Sequence, residues 1–220
     1  MTKIVYPTEK EVLRFGRVVK RAFRERFDIN LNNVMILPEE YHEDALLAGN
    51  TYVAEKGRGL SYILRIPSYQ YILAHELEHI AFYRALLKRH KTKKEAFSIT
   101  CDKKELNEGI SELVSLDELT DLYSEETLEA VEKRKNRFRE DLASEDCAKA
   151  VKEPNLLAFE YRRFVRALGY QFCSTVRKAF PNFNEMQRFL VKNLPTQDHI
   201  LNPELYIRDF DLKKEKWNVK

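Results

Sequence analysis

Cysteine is scarce in this chain. Cys101, Cys147 and Cys173 lie far apart and form no CxxC pair, so neither a disulfide framework nor a thiolate zinc site is read from them, and they are expected to be reduced, mostly packing residues. Glycine and proline are also few, six and seven among 220 residues, so the chain is neither low-complexity nor linker-rich. No run approaches the ~20 apolar residues of a membrane span, and the first residues, MTKIVYPTEKEVLRF, lack the charged-then-apolar order of a signal peptide. A soluble, cytoplasmic protein without a membrane partner is expected. Net charge is nearly absent as well: 38 Lys and Arg against 35 Asp and Glu leave +3. No strong polyanion partner is implied and no nucleic acid is expected. Local basic runs at Arg14–Arg26, Lys88–Lys94 and Lys133–Arg139 recur at helical spacing and read as solvated helix faces.

What is present, 44% hydrophobic and 33% charged residues, is the composition of a folded, charge-rich globular protein. Thr8 followed by Glu11 is a capping-box pattern that opens a helix turning Val12, Phe15, Val19, Ala22, Phe23 and Phe27 inward. After Asn32 the pattern shortens to β-rich pieces, NVMILP, GNTYVAE and GLSYILRIP, which predict a small sheet. Pro67 and Ser68 end the last strand and cap a long helix over 69–90. A basic loop, KRHKTKKEAF, follows; Asp102 with Glu105, Ser124, Asn155 and Asn184 then mark the starts of further helices. The fold class expected is α+β, a small mixed N-terminal sheet with the site helix, then a mostly helical C-terminal lobe. The boundary falls between residues 1–98 and 99–220.

The chemistry concentrates in His75-Glu76-Leu77-Glu78-His79. On a helix, His75 and His79 project from one face a turn apart, so both rings can reach one zinc ion at ~2.0–2.1 Å. Glu76 is rotated by about 100° from His75 and is placed to meet a water instead of the metal. Two histidines hold a catalytic zinc poorly, so a third protein ligand is required. Glu108, in ELNEGISELV on a predicted helix, is the candidate. Glu112 lies one turn later, placed to accept the free N–H of a ligand histidine.

HELEH with the downstream Asn107-Glu108-Gly109-Ile110-Ser111-Glu112 resembles the gluzincin zinc metallopeptidases, the clan of thermolysin and aminopeptidase N, over roughly residues 60–118. The resemblance implies a zincin-like fold, a Zn2+ cofactor and peptide hydrolysis. Carried over residue by residue, it implies His75, His79 and Glu108 as zinc ligands, Glu76 as general base and Glu112 as their supporting carboxylate. The 28 residues between His79 and Glu108 exceed the usual gap, and Glu78 puts a charge where the clan has an uncharged residue. FEYRRFVRAL followed by NLPTQDHILNPELY is similar to the closing part of a group of prokaryotic zinc peptidases, with Asn202 in place of the histidine of their HPEKY-like motif.

Stabilising an oxyanion needs a further donor; Tyr161 is the candidate and His199 the reserve. The strand LSYILRI, if it lies at a sheet edge, could pair with an extended peptide or protein substrate; as an internal strand it could not. Two rival readings remain. One is a latent or non-catalytic zinc-containing binding module whose C-terminal segment blocks the cleft. The other is a di-iron bundle built on Glu76/His79 and the equally spaced Glu39/His42.

Overall fold

The structure, a computed structural model, describes residues 6–40, 49–53, 59–90, 92–152 and 158–212. These residues are about 75% helical, which corrects the expected α+β class: the protein is mostly helical. Among the described residues the β structure is confined to strands of five, five and six residues. The β-branched and aromatic pieces are short and hemmed in by Gly and Pro, whereas everything after Pro67 carries helical spacing and caps. The chain divides into two compact units, Met1–Arg84 with Val114–Lys133 and Ala85–Leu113 with Arg134–Lys220. Each unit is therefore built from two separate stretches of the chain.

In the first unit, helix α1 (Glu9–Phe27) starts at the expected capping box: the Thr8 amide donates to the Glu11 carboxylate at 2.7 Å, and the Glu11 amide to the Thr8 hydroxyl at 3.3 Å. All six residues expected to turn inward are buried. Strands β1 (Met35–Glu39), β2 (Gly49–Val53) and β3 (Gly59–Leu64) form a sheet in the order β1-β3-β2. β1 runs parallel to β3, with Ile36 opposite Ser61, and β2 runs antiparallel to β3, with Thr51 opposite Ser61. The strand within LSYILRI is thus central. Its backbone groups are committed on both sides, so the edge-strand reading of that segment is corrected. Helix α2 (Tyr69–Arg89) follows after a tight turn in which the Tyr69 amide donates to the Ile66 carbonyl at 3.0 Å. β3 lies close against it: a Cβ added to Gly59 would come within 3.1 Å of three side-chain carbons of Ile80. A bidentate ion pair from Arg26 to Asp121, at 2.7 and 2.6 Å, ties α1 to the 3-10 turn Thr120–Leu122.

In the second unit, the expected basic loop is in part a helix. α3 (Lys93–Asp102) is opened by a capping box between Thr92 and Glu95. Asp102 ends that helix instead of capping the next one, α4 (Lys104–Leu113). α4 continues into a π-helical turn at Val114–Glu118. The charged helix expected through Lys152 is broken at Ser144 into α5 (Glu125–Ala143) and α6 (Glu145–Lys152), with the Ser144 hydroxyl accepting from the Cys147 amide at 3.1 Å. Asn155 lies outside the described residues. α7 (Ala158–Arg177) is the centre of the unit and is packed by α4, α6, α8 (Phe183–Lys192), α9 (Gln197–Leu201) and α10 (Pro203–Asp209). α8 is capped by Asn182, two residues before the expected Asn184.

α4 and α7 cross with no side chain between them. A Cβ on Gly109 would run into the Gly169 carbonyl and come within 2.7 Å of its Cα; a Cβ on Gly169 would collide with the Glu105 carbonyl. Glycine is required at both positions because the two backbones themselves touch. No helix among the described residues is long and apolar enough to cross a membrane.

Candidate metal centre

α2 is apolar on every face. Leu73, Ala74, Leu77, Ile80, Ala81, Phe82 and Leu86 are all fully buried, as in a helix that runs through a core instead of along its surface. Three of its polar residues are buried too, His75 at 4% exposed, Glu76 at 6% and Glu78 at 0%, while His79 is half-buried. An ordinary amphipathic helix would turn such groups to water. Keeping them inside costs free energy unless hydrogen bonds or a bound ion satisfy them.

The imidazoles meet. Nε2 of His75 lies 3.1 Å from Nε2 of His79, with the rings 4.7 Å apart and nearly perpendicular. Two nitrogens bound to one tetrahedral zinc at ~2.0–2.1 Å stand about 3.3 Å apart, so the observed convergence suits a shared ion. With a ligand atom of Glu76, the two histidines form a group within 4.8 Å of one another that could hold a metal ion. Imidazole is a donor that zinc accepts, and a third protein ligand is still required beside the pair.

Glu108 and Glu112 belong to the second unit, one turn apart on α4 as expected. Arg166 of α7 places Nε 2.8 Å from Glu108 Oε2 and Nη1 3.8 Å from Glu112 Oε1. Arg134 of α5 adds a hydrogen bond of 3.0 Å to Glu112 Oε1, its guanidinium stacked 4.5 Å above the Phe138 ring. Glu112 is 1% exposed and so is a buried carboxylate with two cationic neighbours. Lys104, Asn107, Glu108, Val165 and Arg166 line an open pocket of about 350 Å³. Sequence reasoning missed both arginines. The available signal was Arg166 itself, a cation in FVRAL on an otherwise apolar stretch of α7.

The remaining candidates fall elsewhere. Tyr161 is on α7, and its side chain lies outside the described part of the chain. His199 is occupied structurally: its Nδ1 accepts from the Thr196 amide at 3.1 Å and its Nε2 lies 3.2 Å from Asp209. That contact holds the Asp209 carboxyl below its ordinary pKa, the largest cause being the hydrogen bond with His199. The segment expected to block a cleft is built into the second unit. Tyr206 is fully buried against Phe172, and its hydroxyl donates to the Asn193 carbonyl. For the di-iron reading, Glu39 sits on strand β1, not on a helix, and His42 lies outside the described residues.

Comparison with protein-family models, with curated proteins and with solved structures gives no match, so the meaning of this centre rests on its own residues.

Proposed function

We propose that this chain is a zinc-dependent peptidase of the gluzincin type, acting on a peptide or protein. The observation that carries the reading is the convergence of the His75 and His79 Nε2 atoms at 3.1 Å in a part-buried position on α2, with Glu76 beside them. Glu108 is the proposed third ligand, on the strength of the order HELEH then NEGISE. A zinc ion held by these residues would supply Lewis acidity to a water and to the scissile carbonyl. The Glu76 carboxylate takes the proton from the attacking water, directs its oxygen to the carbonyl carbon, and delivers that proton to the amine nitrogen as the C–N bond breaks. Burial of Glu76 keeps competing solvent from this proton. Turnover of a peptide library by the zinc-loaded protein tests the reading. Glu76→Gln should reduce the rate by at least ~10²-fold while zinc remains bound; zinc binding with no peptide cleaved would overturn it.

A latent or non-catalytic zinc module is favoured by one observation, the ion pair between Glu108 and Arg166, which engages the proposed third ligand with a cation of its own unit. In that reading Arg166→Gln gains peptidase activity that the parent protein lacks.

A further inference from the structure

The formal charge of +3 hides a concentration of charge in one element. α1 carries seven of the chain's 38 Lys and Arg but only three of its 35 Asp and Glu, so its surplus of four exceeds that of the whole chain. The cations are also ordered. Lys10, Arg14, Arg17, Arg21 and Arg24 follow one another at steps of four and three and are all exposed, which sets them on one face of the helix. At 1.5 Å per residue this row is about 21 Å long. Among the described residues none of the four arginines in it takes part in an ion pair. Arg26, off the row, is engaged by Asp121, and on α5 Arg134 is engaged by Glu112 and Arg137 by Asp141.

Beside the row lies a concavity of about 650 Å³ lined by Arg17, Lys20, Arg21, Arg24, Glu25 and Asn32. Its wall is fixed. Lys20 donates to the Val34 carbonyl, while Arg84 donates to the Asn30 carbonyl and, at 2.5 Å, to the Asn33 side chain. The loop after α1 is thereby held against the cations. Partial burial, and then the charge of Arg84, keep Lys20 below its ordinary pKa.

We propose that this face of α1, with its concavity, binds the phosphodiester backbone of a single nucleic-acid strand. A compact phosphate would use one or two of these cations; only an extended polyanion meets a row of five. No exposed aromatic is interleaved among them, so the contact is to backbone and carries no base preference. The site is independent of the metal centre and stands whether or not the peptidase reading does.

The test is binding of fluorescein-labelled 20-nucleotide oligo(dT) and oligo(U) to the full chain, titrated against salt. For about four phosphate contacts to a single strand, log K should fall with log [salt] at a slope near −3. Arg17→Glu/Arg21→Glu/Arg24→Glu should weaken binding at least tenfold and flatten that slope. The neutral triple variant to Gln, a milder change at exposed positions, should weaken it in the same direction. A control with the same charge change elsewhere, Lys88→Glu/Lys93→Glu/Lys94→Glu, should stay within about threefold of the parent. Equal losses in both sets, absence of binding at low salt, or displacement of the oligonucleotide by inorganic tripolyphosphate at equal phosphate concentration would each overturn the proposal.

Discussion

Arg166 holds Glu108: its Nε sits 2.8 Å from Oε2, and the same guanidinium reaches to within 3.8 Å of Glu112. The residue proposed to complete a zinc site is thus already paired with a cation supplied by α7. A buried carboxylate one turn further on, Glu112, is braced by a second arginine, Arg134. Zinc binding at Glu108 would have to proceed against this positive charge.

Arg166→Gln removes a positive charge beside the proposed ligand, so zinc affinity should rise by about three- to tenfold, on the order of 1 kcal/mol once screening of a partly exposed guanidinium is counted. Glu108→Ala should lower it by at least about 10-fold. Competition with a chromogenic chelator measures both. Equal affinity in all three proteins would remove Glu108 from the ligand set.

Glu112→Ala leaves Arg134 and Arg166 without the carboxylate they share, at a position 1% exposed. Loss of about 1–3 kcal/mol is expected, read from urea unfolding. Replacement with no cost would mean the two arginines are satisfied elsewhere.

Gly169→Ala puts a methyl group where the Glu105 carbonyl lies. Because both obstacles are backbone, α4 and α7 must separate, and a cost of more than about 3 kcal/mol is expected. Gly109→Ala should behave alike; a thermal melt of either that matched the parent would contradict the close crossing.

The Arg26–Asp121 pair gives a pH dependence with a defined sign. Its hydrogen bond from Arg26 lowers the Asp121 pKa below the ordinary 3.8. A carboxylate whose folded pKa is depressed contributes stability above the unfolded value and loses it as pH falls through the folded one. Asp121→Asn should therefore be less stable than the parent at pH 7, by less than about 1 kcal/mol for so exposed a pair. The two proteins should converge as pH falls below the ordinary carboxylate range and Asp121 takes up its proton in the folded state. A difference that persists undiminished there would assign the effect to packing.

α1 was legible in the sequence because its signals are local: Thr8 and Glu11 form the cap, and the apolar residues repeat at helical spacing. The His75/Glu76/His79 group was legible for the same reason, being fixed by spacing within one helix. α3 was missed because four lysines in KRHKTKKEAF outweighed the Thr92/Glu95 cap that in fact opens it. Which strand is central depends on pairing between segments far apart in sequence, so β3 could not be placed from LSYILRI alone. The α+β expectation gave equal weight to three short strands and to the long capped helices after Pro67. Arg166 was hidden because its partnership with Glu108 exists only where α4 meets α7, and that meeting is permitted by Gly109 and Gly169.

The most direct test is elemental analysis of the purified full chain beside its His75→Ala, His79→Ala and Glu76→Gln variants, each exchanged into metal-free buffer after loading with zinc. One zinc per chain is predicted in the parent and in Glu76→Gln, with loss of metal from both histidine variants. A parent protein that retains no divalent metal, or histidine variants that retain as much as the parent, would contradict the metal centre.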